Sequence, residues 1–394
     1  MAGPTDSNTP SVPVAPASPP VAPKPATSAP IAVRPASPVA TAPPVQSQAS
    51  EKWVPLYRWC RTEGLPAPAQ VPHTPSPTFA LHSGNGTLVL RAGSVVTHWD
   101  GLEVQLGFAP QLINGQPYVH ALDLQKTIQP LLTGGPGLPL GSTPVLVIDP
   151  GHGGENAGTA SVLGNHYEKE FTLDWARRLQ KLMADAGWQV FLTRSNDSDL
   201  ALSNRVAVAE QRKADLFLSL HFNSSAPDHF QAGLETYCLT PAGMPSNLTR
   251  GGGDETLAAF PNNAFDFQNL SLAMRVQRAL LQINGHNDRG VRRARFPGVL
   301  RGQQRPAILV EGGYLSNPDE ARRISDPAYR QKLAVALAGA LTAGARVATA
   351  GPQSEVARRN PEPDTRGQGA DVVTPGPGAG RQTSEEPSHS AEIP

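Results

Sequence analysis

The chain has 394 residues, with 33 basic and 33 acidic side chains and a formal net charge of zero. That balance excludes a general nucleic-acid binder, whose affinity rests on a positive surface. Two cysteines, Cys60 and Cys238, are too few for a disulfide framework or a cysteine-rich metal site. No run reaches the ~18 apolar residues of a membrane span. The start lacks a basic stretch followed by an apolar one, so the sequence as it stands reads as soluble, with no secretion signal.

The first 50 residues hold thirteen of the 41 prolines, with only Asp6, Lys24 and Arg34 charged and no aromatic residue. Such a stretch buries too little apolar area to offset the entropy of ordering. Residues 1–72 therefore read as a disordered Pro/Ala-rich linker. From 73 to 133, short alternating runs are separated by Gly-Asn, Asp-Gly and Asn-Gly pairs, the chemistry of tight turns. This predicts a small β-rich module with a short helix over 121–132. Residues 134–143 read as a second linker, which predicts little cooperative unfolding across it.

From 144 to 347 strand and helix signals alternate. Residues 145–149 (VLVID) form a continuous apolar run, the mark of a buried central strand. Phe171, Trp175, Leu179, Leu182 and Met183 form one helical stripe within 168–186. Further strands are expected at 189–193, 215–220, 233–239 and 306–310, and helices at 200–213, 268–283 and 328–345. This alternation predicts an α/β domain: a mostly parallel twisted sheet with helices on both faces. Residues 348–394 read as a disordered tail.

In such sheets working residues collect where strands end. His152 follows the first strand within DPGHGG, His221 follows the third within LHFNSS, and Glu311 follows the last within VEGGYLSN. Glu168 opens the first helix. Each has a bland reading: a loop histidine, a helix-start acid favoured by the macrodipole, a buried carboxylate bonded to backbone. Four such groups at one sheet edge are hard to explain as separate accidents. Two histidines and a carboxylate are a recurrent catalytic zinc set, and a further carboxylate can move protons beside it. The flanking Gly153, Gly154, Gly312 and Gly313 fit close approach of a bulky substrate.

These segments also carry a family resemblance. VLVIDPGHGG, the Glu168–Lys169 pair, VFLTR, ADLFLSLHFNSS, DRGVRRARFPGVLR and PAILVEGGYLSNPDE occur in the order seen in zinc-dependent N-acetylmuramoyl-L-alanine amidases. The resemblance spans about 144–347. It implies zinc bound by His152, Glu168 and His221, with Glu311 as the catalytic carboxylate. The implied reaction is hydrolysis of the amide between N-acetylmuramic acid and L-alanine in peptidoglycan, by an enzyme acting in the periplasm or at the cell surface. It names no protein activator.

Glu170 competes with Glu168, but two positions apart they face different sides of the helix, and Glu168 matches the family position. Glu155 reads as ordering its loop, and His166, His229 and His286 as surface residues. Asn223 is a candidate substrate contact. The arginine-rich stretch 289–305 reads mainly as a solvated rim, from which Arg289 and Arg295 are taken as candidates to grip peptide carboxylates. It carries a single aromatic residue, Phe296, too few for a base-stacking surface. The long connection 240–267 carries DETLAAF, a candidate two-turn helix with an autoinhibitory role. Two other classes stay open: a zinc peptidase acting on another cell-wall amide, and a non-catalytic peptidoglycan-binding protein.

Overall fold

In the computed structural model, which describes residues 52–249, 253–284, 287–296 and 298–349, Leu146 and Ile148 join one apolar cluster and Val147 another. Successive side chains of a strand leave opposite faces, so this apolar run requires cover on both sides of its sheet.

The chain enters through β1 (Trp53–Pro55), α1 (Leu56–Thr62) and β2 (Ala69–Val71). Residues 53–71 are thus ordered, which corrects the linker expected over 1–72. Prolines continue past Trp53, but Leu56, Trp59 and Cys60 supply buried apolar surface from residue types that 1–50 lack. Residues 1–51, and 350–394 of the expected tail, lie outside the described residues.

The turn-rich segment gives β3 (Thr78–Ser83), β4 (Gly86–Arg91), β5 (Val96–Trp99), β6 (Leu102–Gln105), β7 (Gln111–Ile113) and β8 (Gln116–His120). Strands β2 to β6 form an antiparallel meander, while β1, β8 and β7 make a separate small sheet. The helix expected over 121–132 comes as α2 (Ala121–Asp123), a π turn over Leu124–Ile128, and α3 (Gln129–Thr133). Pro130 has no N–H to offer the Lys126 carbonyl. Arg293 Nη2 donates to that oxygen at 2.7 Å.

The remainder runs β9 (Val145–Pro150), α4 (Glu168–Asp185), β10 (Gln189–Leu192), α5 (Leu202–Gln211), β11 (Leu216–Asn223) and β12 (Leu234–Leu239). It continues with α6 (Asp266–Asn284), β13 (Asp288–Ala294), α7 (Gly298–Arg301), β14 (Ala307–Tyr314), α8 (Pro318–Ser325) and α9 (Pro327–Thr349). Strand order is β10-β9-β11-β14-β12-β13, and only the β14–β12 pairing is antiparallel. The mostly parallel α/β sheet expected from the sequence is present. Helices α4, α6 and α9 cover one face, α5 and α7 the other.

Helix α4 illustrates the construction. Phe171, Trp175, Leu179 and Met183, spaced four apart, are all buried; burying each contributes roughly 1.5–3 kcal/mol. Glu168 and Glu170 sit in its first turn, where the dipole favours acids. Gly187, at φ 86°, ends it, with its N–H on the Ala184 carbonyl.

The meander continues the large sheet, because β6 pairs in parallel with β13 at Val104 and Val291. Arg293 of β13 is 2% exposed and donates to Thr127 Oγ1 at 2.6 Å. Glu103 N donates to Asp288 Oδ2 at 2.8 Å. Residues 134–143, expected to be a linker, form no helix or strand and are exposed apart from buried Leu138 and half-buried Leu140; a Cβ on Gly135 would lie 2.5 Å from the Phe267 ring. All described residues fall in one compact unit. Cys60 and Cys238 are both buried and free.

Candidate active site

Asp149, the last acid of the apolar run in β9, is 1% exposed and accepts hydrogen bonds from Thr193 Oγ1, Ser219 Oγ and Arg205 Nη1. Burial pushes its carboxyl up, but Arg205 and the three donors outweigh that and hold it below the usual range. Arg205 Nη2 also donates to the His152 carbonyl at 2.8 Å, and Arg194 Nη2 to the Gly151 carbonyl at 2.8 Å. Two buried arginines thus fix the backbone of the loop that carries His152. Sequence reasoning missed this role; the arginine two residues past strand β10, in VFLTR, was the available signal.

His152 itself adopts φ 62°, uncommon for residues other than glycine. Its Nδ1 meets Asn156 Oδ1 at 2.8 Å, leaving Nε2 directed at Glu168 Oε2, 3.1 Å away. His221 Nδ1 meets Glu168 Oε1 at 2.9 Å. The Glu168 oxygens also accept from the Thr159 and Phe222 N–H groups, each at 3.1 Å. One ligand atom from each of His152, Glu168 and His221 lies within 4.8 Å of the others. Gly158 is required there, because a Cβ would stand 2.7 Å from both Glu168 Oε2 and His152 Cδ2.

Burial lowers the His152 pKa, but the hydrogen bond and charge of Glu168 leave it raised. For Glu168, burial raises the pKa, yet bonding to His152 and His221 holds it well below the carboxylate range. A buried carboxylate between two imidazoles fits a divalent cation of zinc's preferences: borderline N and O donors, with outer hydrogen bonds orienting them.

Glu311 is 3% exposed and stands in register with His221 on the neighbouring parallel strand. Residues in register share a face. His152, Glu168, His221 and Glu311 line one cavity of about 380 Å³, with Asn223, Leu202, Phe296 and Val299 among its other walls. Glu235, on the other side of Glu311 in the same row, was missed. It is 1% exposed, accepts from Asn223 Nδ2 and from Tyr314 OH, and pairs with Arg292 Nε at 3.1 Å.

The other sequence candidates fall elsewhere. Arg289 does not line the cavity; its Nη1 donates to Gln231 at 2.8 Å and its Nε lies 3.7 Å from Glu235. Arg295 is 4% exposed and binds Asp254 and the Pro241 and Met244 carbonyls, anchoring the long connection. The arginine stretch runs through β13 and α7 with its arginines buried or half-buried rather than forming a solvated rim, because Arg292, Arg295 and Arg305 pair with Glu235, Asp254 and Glu210. Glu170 instead meets exposed His166 at 2.7 Å. His229 meets the Ser316 carbonyl at 2.8 Å, and Glu155 is exposed. His286 and residues 250–252 lie outside the described residues.

The expected helix at DETLAAF does not form, since Asp254 is taken up by Ser246 and Arg295. None of the described residues of 240–267 lines the cavity. Nor do Gly153 and Gly312 make room for substrate. A Cβ on Gly153 would lie 2.2 Å from the Ser198 carbonyl, and one on Gly312 2.8 Å from the Phe222 ring.

Donor chemistry and position define a class: an α/β protein with the residue set of a metal-dependent hydrolase at the carboxyl edge of its parallel strands. The family described as N-acetylmuramoyl-L-alanine amidase matches residues 146–343, half of the chain. The chain belongs to this family. The N-acetylmuramoyl-L-alanine amidase AmiC of Escherichia coli O6:H1 is 30% identical over 247 residues, which cover 56% of this chain and 58% of AmiC. LytC of Bacillus subtilis is 34% identical over 196 residues, 49% of this chain and 34% of LytC. The solved catalytic domain of the amidase CwlV from Bacillus (Paenibacillus) polymyxa is 31% identical, with a TM-score of 0.43. The match covers 52% of this chain and 99% of that domain. The chain spans less than two thirds of either curated relative.

Proposed function

We propose that the protein hydrolyses the amide joining the lactyl group of N-acetylmuramic acid to L-alanine in peptidoglycan, with zinc held by His152, Glu168 and His221. One observation carries the reading: the His–Glu–His cluster and Glu311 line the same cavity. Membership of the amidase family supports the choice of bond.

Bound zinc would polarise the scissile carbonyl and acidify water. The chain's own residues do the rest. The Glu311 carboxylate takes a proton from the attacking water and delivers it to the alanine nitrogen as the C–N bond breaks. The water oxygen ends in the lactyl carboxylate, and the peptide leaves with a free amine. Leu202, Phe296 and Val299 give the cavity an apolar wall. Asn223 is the candidate substrate contact. Arg289 and Arg292 act behind it, through the Glu235 carboxylate that holds its amide.

The substrate lies outside the cytoplasm, so we place the activity in the periplasm or at the cell surface. Among the described residues no helix is long and apolar enough to cross a membrane. The test is digestion of purified sacculi, with the new ends identified by mass spectrometry. Expected products are glycan strands with unsubstituted lactyl carboxylates and peptides beginning at L-alanine. Cleavage within the peptide would replace this reading by a peptidase, and binding without release by a recognition protein.

A further inference from the structure

Helix α6 carries two half-exposed or exposed arginines on its outer side, and one of them faces no acid among the described residues. Arg275 lines two neighbouring cavities of about 290 and 380 Å³ that share Gly134, Phe267 and Ser271 as walls. Together they form one groove at the seam between α6, the meander and residues 134–138. Trp99, Leu131, Met274 and Leu138 give it apolar surface, and Asn85, Ser271 and Gln268 give it amides and a hydroxyl. No Asp or Glu lines either cavity, and no residue is shared with the catalytic cavity.

The cationic groups differ in how far they are satisfied. Arg278 Nη2 donates to the Trp99 carbonyl at 3.2 Å. Burial pushes the Arg275 pKa down, and among the described residues no carboxylate offsets it. A partly desolvated guanidinium without a counter-charge gains most from an anion brought by a ligand. Phosphate sites rely on dense free donors; here Arg278 is engaged with the Trp99 carbonyl, and Arg275 is the guanidinium left among aliphatic and aromatic walls. That mixture suits a carboxylate on a peptide with small apolar side chains. From Phe267 to Arg278 the helix advances roughly 16 Å, the reach of an extended segment of about five residues.

We propose that this groove is a second substrate-holding site, binding the carboxylate-bearing peptide stem of a neighbouring peptidoglycan unit through Arg275. The proposal rests on the peptidoglycan reading above. It gives α6 and the meander a shared role in retention on the polymer, separate from bond cleavage.

The test uses the full chain. Retention on purified sacculi is measured by co-sedimentation in a Glu311→Gln background, with and without Arg275→Glu or Arg275→Gln. Turnover of a small soluble muropeptide is measured with Glu311 intact. Replacing Arg275 is expected to weaken retention about tenfold, one charge-assisted contact, with muropeptide turnover unchanged. In a competition arm that needs no substitution at Arg275, a synthetic stem peptide with free carboxylates should displace the protein and its fully amidated form should not.

Unchanged retention in folded Arg275 variants overturns the site, as does equal competition by both peptides. The two readings fail separately. Muropeptide cleavage with Arg275-independent retention removes the groove and keeps the amidase. Arg275-dependent retention without muropeptide cleavage removes the amidase and keeps the groove.

Discussion

His221 and Glu311 stand opposite each other in register on the parallel strands β11 and β14, so one carboxylate lies directly beside the His–Glu–His cluster on the same sheet face. If Glu311 moves the proton, Glu311→Gln keeps shape and removes only the acceptor. Turnover on muropeptide should fall by roughly 10²–10⁴-fold, with zinc content and thermal midpoint close to wild type. Near wild-type turnover in the folded, zinc-loaded variant takes Glu311 out of the mechanism.

The metal is the second expectation. Purified protein should carry about one zinc per chain, the occupancy of a single three-residue site. His221→Ala should lose most of it. Far-UV circular dichroism should be preserved, because β9, β11 and β14 are held by the buried clusters on both faces and not by the ligands. A chelator should abolish hydrolysis and lower the thermal midpoint, since a metal that binds only the native state stabilises it. Full activity in chelator, with no zinc detected, ends the hypothesis.

Arg293 makes the N-terminal part and the α/β sheet interdependent. Its guanidinium is buried against Thr127 and the Lys126 carbonyl, and β13 pairs with β6. A fragment beginning at Gly141 would leave that charge without those partners and bare the β13 edge, an invitation to aggregation. The full chain should unfold in one calorimetric transition, and the fragment should melt lower and aggregate. Two separate transitions, one of them reproduced by the fragment, would restore the independent domains expected from composition.

Asp123 gives a pH signature to the same region. It is fully buried, accepts from the Gly107 and Phe108 N–H groups at 2.8 Å each, and burial pushes its carboxyl up to about 6, from 3.8. A raised carboxyl pKa in the folded state means the group favours folding most below its unfolded value of 3.8. That contribution is lost as pH rises through about 6. Relative to Asp123→Asn, the wild type should therefore lose stability between about pH 4 and 7. Urea unfolding of both proteins at several pH values measures it; a difference that stays flat refutes the shift.

The amino-acid order by itself determined the α/β sheet and the four residues of the candidate centre. Strand β9 and helix α4 announce themselves through local periodicity, and His152 and Glu168 sit where those elements end and begin. The pattern places His221 and Glu311 just past strands ending at 220 and 310, but β11 and β14 run on to Asn223 and Tyr314 and hold them inside the ladder. Local signals could not tell which distant groups meet. Arg293 and Arg295 read as exposed charge because their partners, Thr127 and Asp254, come from segments the pattern does not pair with them. Glu235 looked like an ordinary strand residue until β12 reversed beside β14 and placed it next to Glu311. Leu138 of the expected linker is buried, and Gly135 sits against the Phe267 ring of α6, for the same reason: no local signal pairs these segments. Burial of charge, strand register and close packing are properties of pairs far apart in the chain, so the tertiary structure alone decided them.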